Sequence, residues 1–189
     1  MKTARYFALL LALLAGPLPA IAAMDTPLKV TQNGTQLSVE GSLETRATRE
    51  IAWSVLTDYE RFPEFVPGIR LNRIVETQGR VKTLEQRGEV VAGIFRLLYD
   101  GTVRIEETPE ESLTIQFLSG PFKDVRGEWR IEPQEKKRLL RLVYKMNMDM
   151  MKSPFPPPLA PSIASQQVRT WVDVFGREMD NRMERRKAK

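Results

Sequence analysis

Apolar and polar residues alternate along much of the chain between residues 37 and 150. The alternation is cleanest at Val125–Glu132 (VRGEWRIE), where every second position is apolar or glycine and the positions between them are charged. Successive side chains of a strand point to opposite faces of a sheet, so each alternating stretch predicts a strand with one buried face. The predicted strands lie at residues 37–44, 69–76, 80–91, 95–105, 113–117, 125–132 and 140–150.

Two other segments have the period of an amphipathic helix. Thr48 can cap a helix that runs to Asp58, and Pro63 and Pro67 limit any helix after it to a turn or two. Apolar residues recur at steps of three and four over residues 163–183. The order predicts an α+β fold, a curved antiparallel sheet of about six or seven strands around a long C-terminal helix, with two short helices after the first strand. Since only that helix can cover the sheet, a cavity can remain between them.

The last strand and the facing helix are rich in residues that suit an apolar ligand. Methionine is unbranched and polarisable, so a methionine face adapts to irregular shapes. The buried hydroxyls of Tyr99 and Tyr144 each need a partner, either a ligand carbonyl or a backbone carbonyl. The proline run at residues 154–158 predicts a stiff extended connection to the helix. Candidate cavity-lining residues are Phe95, Tyr99, Phe117, Trp129, Tyr144, Met146, Met148, Trp171 and Phe175; the alternative is that they only fill the core.

The chain begins like an export signal. Lys2 and Arg5 precede a short apolar run, and Ala20-Ile21-Ala22 has the form of a cleavage site. An uncleaved anchor is the alternative, but the run is shorter than the ~20 residues of a spanning helix. We predict a cleaved signal peptide at residues 1–22, a polar arm or hairpin at 23–36, one domain at 37–185 and a basic tail at 186–189. The expected location is outside the cytoplasm, in the periplasm.

The composition excludes several kinds of chemistry. The sequence has no histidine and no cysteine, so a Ser-His-Asp triad, a cysteine nucleophile and the common zinc sites are impossible. Without Lys2 and Arg5 the chain has 27 basic and 24 acidic residues. This small excess of positive charge does not indicate a nucleic-acid-binding protein. No pair of acids stands out as catalytic, although Glu85 and Glu89 lie in predicted strands. We expect a monomer with no metal and no cofactor.

Three stretches resemble a known family. They are AWSVLTDYERFPEFVPGI (Ala52–Ile69), GPFKDVRGEWRIEP (Gly120–Pro133) and the strand Leu139–Met150 with the helix after it. Over residues 37–183 the chain resembles the polyketide cyclase/coenzyme Q-binding branch of the helix-grip (START-like, SRPBCC) superfamily. The resemblance implies a helix-grip fold that holds a lipid, quinone or polyketide-like molecule between sheet and helix. Many members of this family are not enzymes. The ribosome-associated toxins among them are cytoplasmic, and the export signal of this chain argues against that role.

Three functions fit the sequence. The first is an exported carrier for an apolar small molecule or lipid, with membrane contact through the basic tail. The second is a cyclase or lyase-like enzyme that uses a tyrosine or glutamate on an apolar substrate in the same cavity. The third is a protein-interaction module whose cavity is filled. An inward titratable group would favour the enzyme, and an exposed apolar patch over a packed interior would favour the interaction module.

Overall fold

The computed structural model describes residues 27–188, which form one open, curved antiparallel sheet and three helices. The strands are β1 (Leu28–Asn33), β2 (Gln36–Thr45), β3 (Ile69–Gln78), β4 (Val81–Ala92), β5 (Phe95–Thr108), β6 (Ser112–Phe117), β7 (Arg126–Gln134) and β8 (Leu139–Asp149), and the helices are α1 (Arg49–Leu56), α2 (Phe62–Phe65) and α3 (Ala160–Lys187). Across the sheet the order is β1-β2-β8-β7-β6-β5-β4-β3. The predicted signal peptide, residues 1–22, lies outside the described residues.

The α+β helix-grip fold is confirmed, but the sheet has eight strands rather than six or seven. The additional strand is β1, which pairs with β2 in an antiparallel hairpin around Asn33-Gly34. Five of its six residues are exposed, because it is an edge strand without a buried face. An alternation of buried and exposed positions therefore could not reveal it from the sequence.

The short helices form where the sequence supplies their start and stop signals. The Thr48 hydroxyl accepts a hydrogen bond from the backbone N–H of Ile51 at 3.3 Å, which caps α1. The buried face of α1 includes Ala52 and Val55, so the helix packs through its apolar stripe. Pro63 lies in the first turn of α2, where its missing N–H costs nothing.

Helix α3 lies close against the sheet because glycine occupies two contact points. A Cβ at Gly41 of β2 would lie 2.9 Å from a methyl carbon of Val168, and a Cβ at Gly176 of α3 would lie 2.6 Å from Leu43. In sequence terms Gly176 is a weak point in the helix. In the structure Gly176 is where the helix contacts Leu43 of the sheet. The closer packing that glycine allows there offsets its low helix propensity.

The connection from β8 to α3 is less extended than the proline run predicts. A 3₁₀ turn over Met150–Lys152 ends the strand, so Met150 leaves the strand ladder and lies buried at its end. The chain then turns again, since the N–H of Leu159 donates to the carbonyl of Pro156 at 2.9 Å. Prolines fix φ but do not prevent a turn, which accounts for the difference.

The C-terminal end of α3 is joined to α1 by a half-buried ion network. Arg182 lies 2.6 Å from Asp58 and 2.9 Å from Glu178, and it also donates to the carbonyl of Ser54 at 3.1 Å. Arg185 lies 2.8 Å from the same Glu178. Burial acts to raise the pKa of Glu178, but the hydrogen bond and charge of Arg182 outweigh it and hold that pKa below its usual value. Arg182 therefore anchors the end of the helix, whereas the exposed Arg185 adds a second cation to Glu178.

Candidate functional site

Two small apolar chambers lie between the N-terminal half of α3 and the sheet. The tryptophan chamber, about 70 Å³ in volume, is lined by Tyr99, Phe117 and Trp171 among others. The methionine chamber, about 50 Å³, is lined by Met146, Met148, Phe155, Ala160, Ile163 and Ala164 among others. Val90, Phe122, Val125 and Gln167 line both, so the two chambers are neighbours separated by these side chains.

Phe122 divides the space. It comes from the loop between β6 and β7, and its ring lies 5.3 Å from Tyr99, 6.0 Å from Phe117 and 6.5 Å from Phe155 between centroids. Gly120 lets the loop fold back, because it has φ +80° and a Cβ there would lie 2.5 Å from the Asp100 carbonyl oxygen. The loop thus presses an aromatic ring between the chambers.

A wider cleft, the mouth, lies beside the chambers and is open to solvent. It has a volume of about 350 Å³ and lies between Gly68, Glu89 and Val91 on one side and Ile163 and Gln166 of α3 on the other. Gln167 and Val90 line the mouth as well as both chambers, so the three spaces are adjacent and share these side chains as walls. A ligand that entered here would pass between β4 and the helix.

The β4–β5 hairpin beside the mouth ends in exposed apolar residues. Ile94 at its tip is 96% exposed, Leu98 is 62% exposed and Val91 is 55% exposed. Large apolar side chains grouped on one surface projection commonly mark a contact with protein or membrane. A separate groove of about 370 Å³ near Lys123 and Asp149 has several charged walls and suits water or polar groups.

An aromatic stack forms the floor beyond the chambers. Trp171 stacks on Tyr144 at 5.4 Å, Tyr144 lies 4.7 Å from Trp129, and Trp129 lies 5.0 Å from Phe175. Phe175 then meets Phe62 at 5.2 Å. Beyond Trp171 the interior is filled, because these rings occupy the space between helix and sheet.

The nine predicted residues therefore occupy different positions. Tyr99, Phe117 and Trp171 line the tryptophan chamber, and Met146 and Met148 line the methionine chamber. Trp129, Tyr144 and Phe175 are buried in the stack, and Phe95 is 38% exposed on the hairpin. The chambers also use residues outside the predicted set: Val90, Phe122, Val125, Phe155 and Gln167.

The Tyr99 hydroxyl is held by a chain of hydrogen bonds between buried polar side chains. It donates to Gln86 Oε1 at 3.2 Å, Gln86 Nε2 donates to Asn72 Oδ1 at 3.1 Å, and Asn72 Nδ2 donates to the Tyr59 carbonyl at 2.9 Å. Burial raises the pKa of the Tyr99 hydroxyl well above its usual value, and that of Tyr144 as well. Both hydroxyls stay protonated at neutral pH and are poor bases.

Glu89 is the acidic side chain at the mouth. It lies 2.6 Å from Arg96 and 3.0 Å from Arg70. The hydrogen bond from Arg96 is the main cause that lowers the pKa of Glu89, so this carboxylate stays ionised. Glu85, the other strand acid considered from sequence, pairs with Arg73 and Arg87. Neither carboxyl has the raised pKa of a general acid.

The described residues contain no group of three or more acidic side chains placed to hold a metal ion. Over the same range, no helix combines the length and apolar character needed to cross a bilayer.

A curved antiparallel sheet that grips a long C-terminal helix over an apolar cavity defines the START-like, helix-grip class of proteins. The chain belongs to the polyketide cyclase/dehydrase and lipid transport family, whose model matches residues 45–175. The match spans the helices, the mouth and both chambers, and ends within α3 at Phe175.

Several proteins of known structure share the fold. The ZhuI aromatase/cyclase from Streptomyces sp. R1128 superposes with a TM-score of 0.64 at 18% identity, covering 78% of this chain and 96% of that chain. A START superfamily protein from Mycobacterium smegmatis gives 0.65 at 18% identity, covering 76% and 97%. A STAR-related lipid transfer protein from Xanthomonas axonopodis gives 0.62 at 11% identity, covering 81% and 98%. At these identities the likeness establishes the fold alone.

The chain is similar in sequence to ribosome association toxins. The protein RatA of Vibrio cholerae is 28% identical over 109 residues, which are 56% of this chain and 73% of that protein. RatA of Escherichia coli K12 is 29% identical over 85 residues, which are 44% of this chain and 51% of that protein.

Proposed function

We propose that this protein is an exported carrier that holds an apolar small molecule or lipid between its sheet and α3. The observation that carries the proposal is the pair of adjacent apolar chambers that lie beside the mouth. The family description, which includes lipid transport, and the fold shared with a lipid transfer protein support the same class of ligand. Burial of apolar surface, at about 25 cal/mol per Å², would drive binding.

A ligand of ordinary size needs the chambers to join. Sites for small molecules usually measure ~300–1,000 Å³, whereas the chambers measure about 70 and 50 Å³. Phe122 and Gln167 stand between them, and Phe122 belongs to a loop rather than to the sheet. Outward movement of this loop would merge both chambers with the mouth.

The position of the mouth favours the β4–β5 hairpin as the membrane-contacting element. From Gln167 to Arg185 along α3 is roughly 27 Å at a rise of about 1.5 Å per residue, so the basic tail lies far from the mouth. The hairpin tip, in contrast, adjoins the mouth through Val91. Insertion of Ile94 and Leu98 into a bilayer surface would bring the mouth to the lipid, with the basic tail adding only a general attraction to anionic lipids.

An exported carrier and a ribosome-bound toxin cannot share a location. The similarity to RatA covers about half of this chain, and the signal-like segment at residues 1–22 argues for export. Fusion of the full chain to a reporter that is active only outside the cytoplasm would test this. A reporter that stays inactive, with an intact N-terminus by mass spectrometry, would support a cytoplasmic role instead.

A cyclase-like enzyme is the second candidate, because the aromatase/cyclase ZhuI has the same fold. The acid at the mouth, Glu89, is ionised and paired with two arginines, which suits ligand exclusion or orientation better than proton transfer. The paired state of Glu89 favours the carrier over the enzyme.

The decisive experiment is recovery of the bound molecule. The full chain is expressed in a bacterial host, purified from the exported fraction and extracted with organic solvent, and the extract is compared by mass spectrometry with that of an unrelated exported protein. A lipid, quinone or polyketide-like mass in stoichiometric amount would support the carrier. An empty extract, with no binding of uncharged apolar dyes, would contradict it.

A further inference from the structure

The indole N–H of Trp171 is a buried hydrogen-bond donor without a partner, and among residues 27–188 no other buried side-chain nitrogen or oxygen is in this state. Buried polar groups in native proteins are nearly always paired, and an unpaired one costs about 1–3 kcal/mol. An unpaired donor is therefore an exception that needs a reason. One such reason is a partner that arrives with a ligand.

The location of Trp171 agrees with a ligand partner. The residue lines the tryptophan chamber, and its ring is fixed by stacking on Tyr144 at 5.4 Å. Gln167, one helical turn earlier, lines the same chamber and the mouth. The stacking fixes the direction of the indole ring, so its N–H is pre-organised for a group that reaches this side of the chamber.

Three polar side chains line the chamber beside Trp171, and none of them accepts from its indole N–H. They are Tyr99, Glu89 and Gln167. The Tyr99 hydroxyl donates to Gln86, and the Glu89 carboxylate is held by Arg70 and Arg96. An indole N–H can donate a hydrogen bond but cannot accept one, so the group that pairs with Trp171 must be a hydrogen-bond acceptor.

The charge around the chambers restricts that acceptor. No lysine or arginine lines either chamber, and the ionised Glu89 borders the tryptophan chamber. A carboxylate ligand would lose its hydration without gaining a cation on the chamber walls. An uncharged carbonyl oxygen has no such cost.

We propose that Trp171 is a specificity-determining residue that donates a hydrogen bond to an uncharged carbonyl oxygen on an otherwise apolar ligand. The inference rests on the proposed carrier function and narrows it to ketones, quinones and esters, excluding hydrocarbons and free acids as preferred ligands. The apolar body of the ligand lies toward Phe122 and the methionine chamber, and its carbonyl end lies on Trp171.

Three probes with one aromatic body test this assignment: 2-acetylnaphthalene, 2-ethylnaphthalene and 2-naphthoate. Their dissociation constants are measured by calorimetry on the delipidated protein. The wild type is expected to bind the ketone about tenfold more tightly than the hydrocarbon, the size of one net hydrogen bond, and the carboxylate most weakly. In Trp171→Phe the ketone preference should vanish, while hydrocarbon affinity stays within about twofold. Trp53→Phe, whose ring lies on α1 away from both chambers, is the matched control and should keep the preference.

Nitrogen-15 spectra of the wild type provide a second readout that needs no variant. The Trp171 indole N–H resonance, assigned by triple-resonance methods, should move downfield with the ketone and far less with the hydrocarbon. Equal affinities of the ketone and the hydrocarbon with an unmoved resonance would overturn the Trp171 assignment while leaving the carrier intact. Tightest binding of the carboxylate would also overturn it. Failure of all three probes to bind would overturn the carrier function and the inference together.

Discussion

Phe122 is the side chain whose removal should change ligand binding most. Its ring separates the two chambers and makes edge or tilted contacts with Tyr99, Phe117 and Phe155. If a ligand enters only when this ring moves outward, part of the binding free energy is used to break those contacts. Phe122→Ala removes that cost in advance and joins the chambers.

The size of the effect follows from the contacts. Each aromatic pair contributes about 0.5–1.5 kcal/mol. Favourable pairs have ring centroids roughly 4.5–7 Å apart, and the three distances here, 5.3, 6.0 and 6.5 Å, lie in the middle and upper part of that range. A combined cost of about 1.5–2 kcal/mol would weaken apparent affinity in the wild type by roughly 10- to 30-fold. The variant should therefore bind an uncharged apolar dye at least about tenfold more tightly, while losing about 2 kcal/mol of stability.

The assay is fluorescence titration with N-phenyl-1-naphthylamine, together with urea unfolding of the same samples. Phe65→Ala is the matched control, because Phe65 packs on Phe62 and Phe175 at 5.6 Å in each case but lines neither chamber. It should lose stability without any gain in dye affinity. Equal affinities in the wild type and Phe122→Ala, or an equal gain in Phe65→Ala, would refute the division of the cavity by Phe122.

Four further predictions concern the anchor, the mouth and the hairpin. Arg182→Met should lower the free energy of unfolding by about 3 kcal/mol, because it removes the cation that joins the buried Glu178 to Asp58 and to the Ser54 carbonyl. Arg185→Met should cost under about 0.5 kcal/mol, because Arg185 is exposed and Glu178 keeps Arg182. Urea unfolding of both variants distinguishes them. Because the folded pKa of Glu178 is lowered, its stabilisation is complete above the ordinary carboxyl value of 4.5 and is lost as pH falls through the folded value. Glu178→Gln should accordingly flatten the unfolding free energy between neutral and acidic pH, and an unchanged slope would contradict this. Gly88→Ala should cost about 2 kcal/mol in urea unfolding, because its Cβ would meet the Gly68 carbonyl. Ile94→Ser should weaken flotation with lipid vesicles by about tenfold without affecting stability, and unchanged flotation would remove the hairpin from the membrane contact.

The sequence predicts the strands and helices well where one face is buried. The alternation at Val125–Glu132 corresponds to β7, whose buried positions are Gly127, Trp129 and Ile131. It fails for β1, because an exposed edge strand has no buried face to detect. Phe95 has the same parity as Tyr99 on β5, yet it is exposed, because the hairpin extends past the cover provided by α3. Parity predicts the face of a strand but not where its covering element ends.

The candidate site was less accessible to sequence reasoning. Trp171 and Tyr99 were predicted from their apolar faces and polar atoms, and both line the tryptophan chamber. Phe122 lies in a loop without period, so only the GPFK motif could have marked it. Arg182 and Glu178 are four residues apart on α3, a spacing that the sequence shows, but Asp58 becomes a neighbour of Arg182 only in the folded chain.

The size of the side chains along one face of α3 explains why the cavity lies where it does. In the first turns that face carries Ala160 and Ala164, both buried and both lining the methionine chamber. In the later turns it carries Phe175 and Met179, which are buried and fill the space against the sheet. A core of uniform packing would need large residues at both ends. The short side chains near the mouth leave a gap that Phe122 fills from outside, and a loop can withdraw where a helix cannot. If the protein is the proposed carrier, the helix therefore fixes where a ligand binds, and movement of the loop controls its entry.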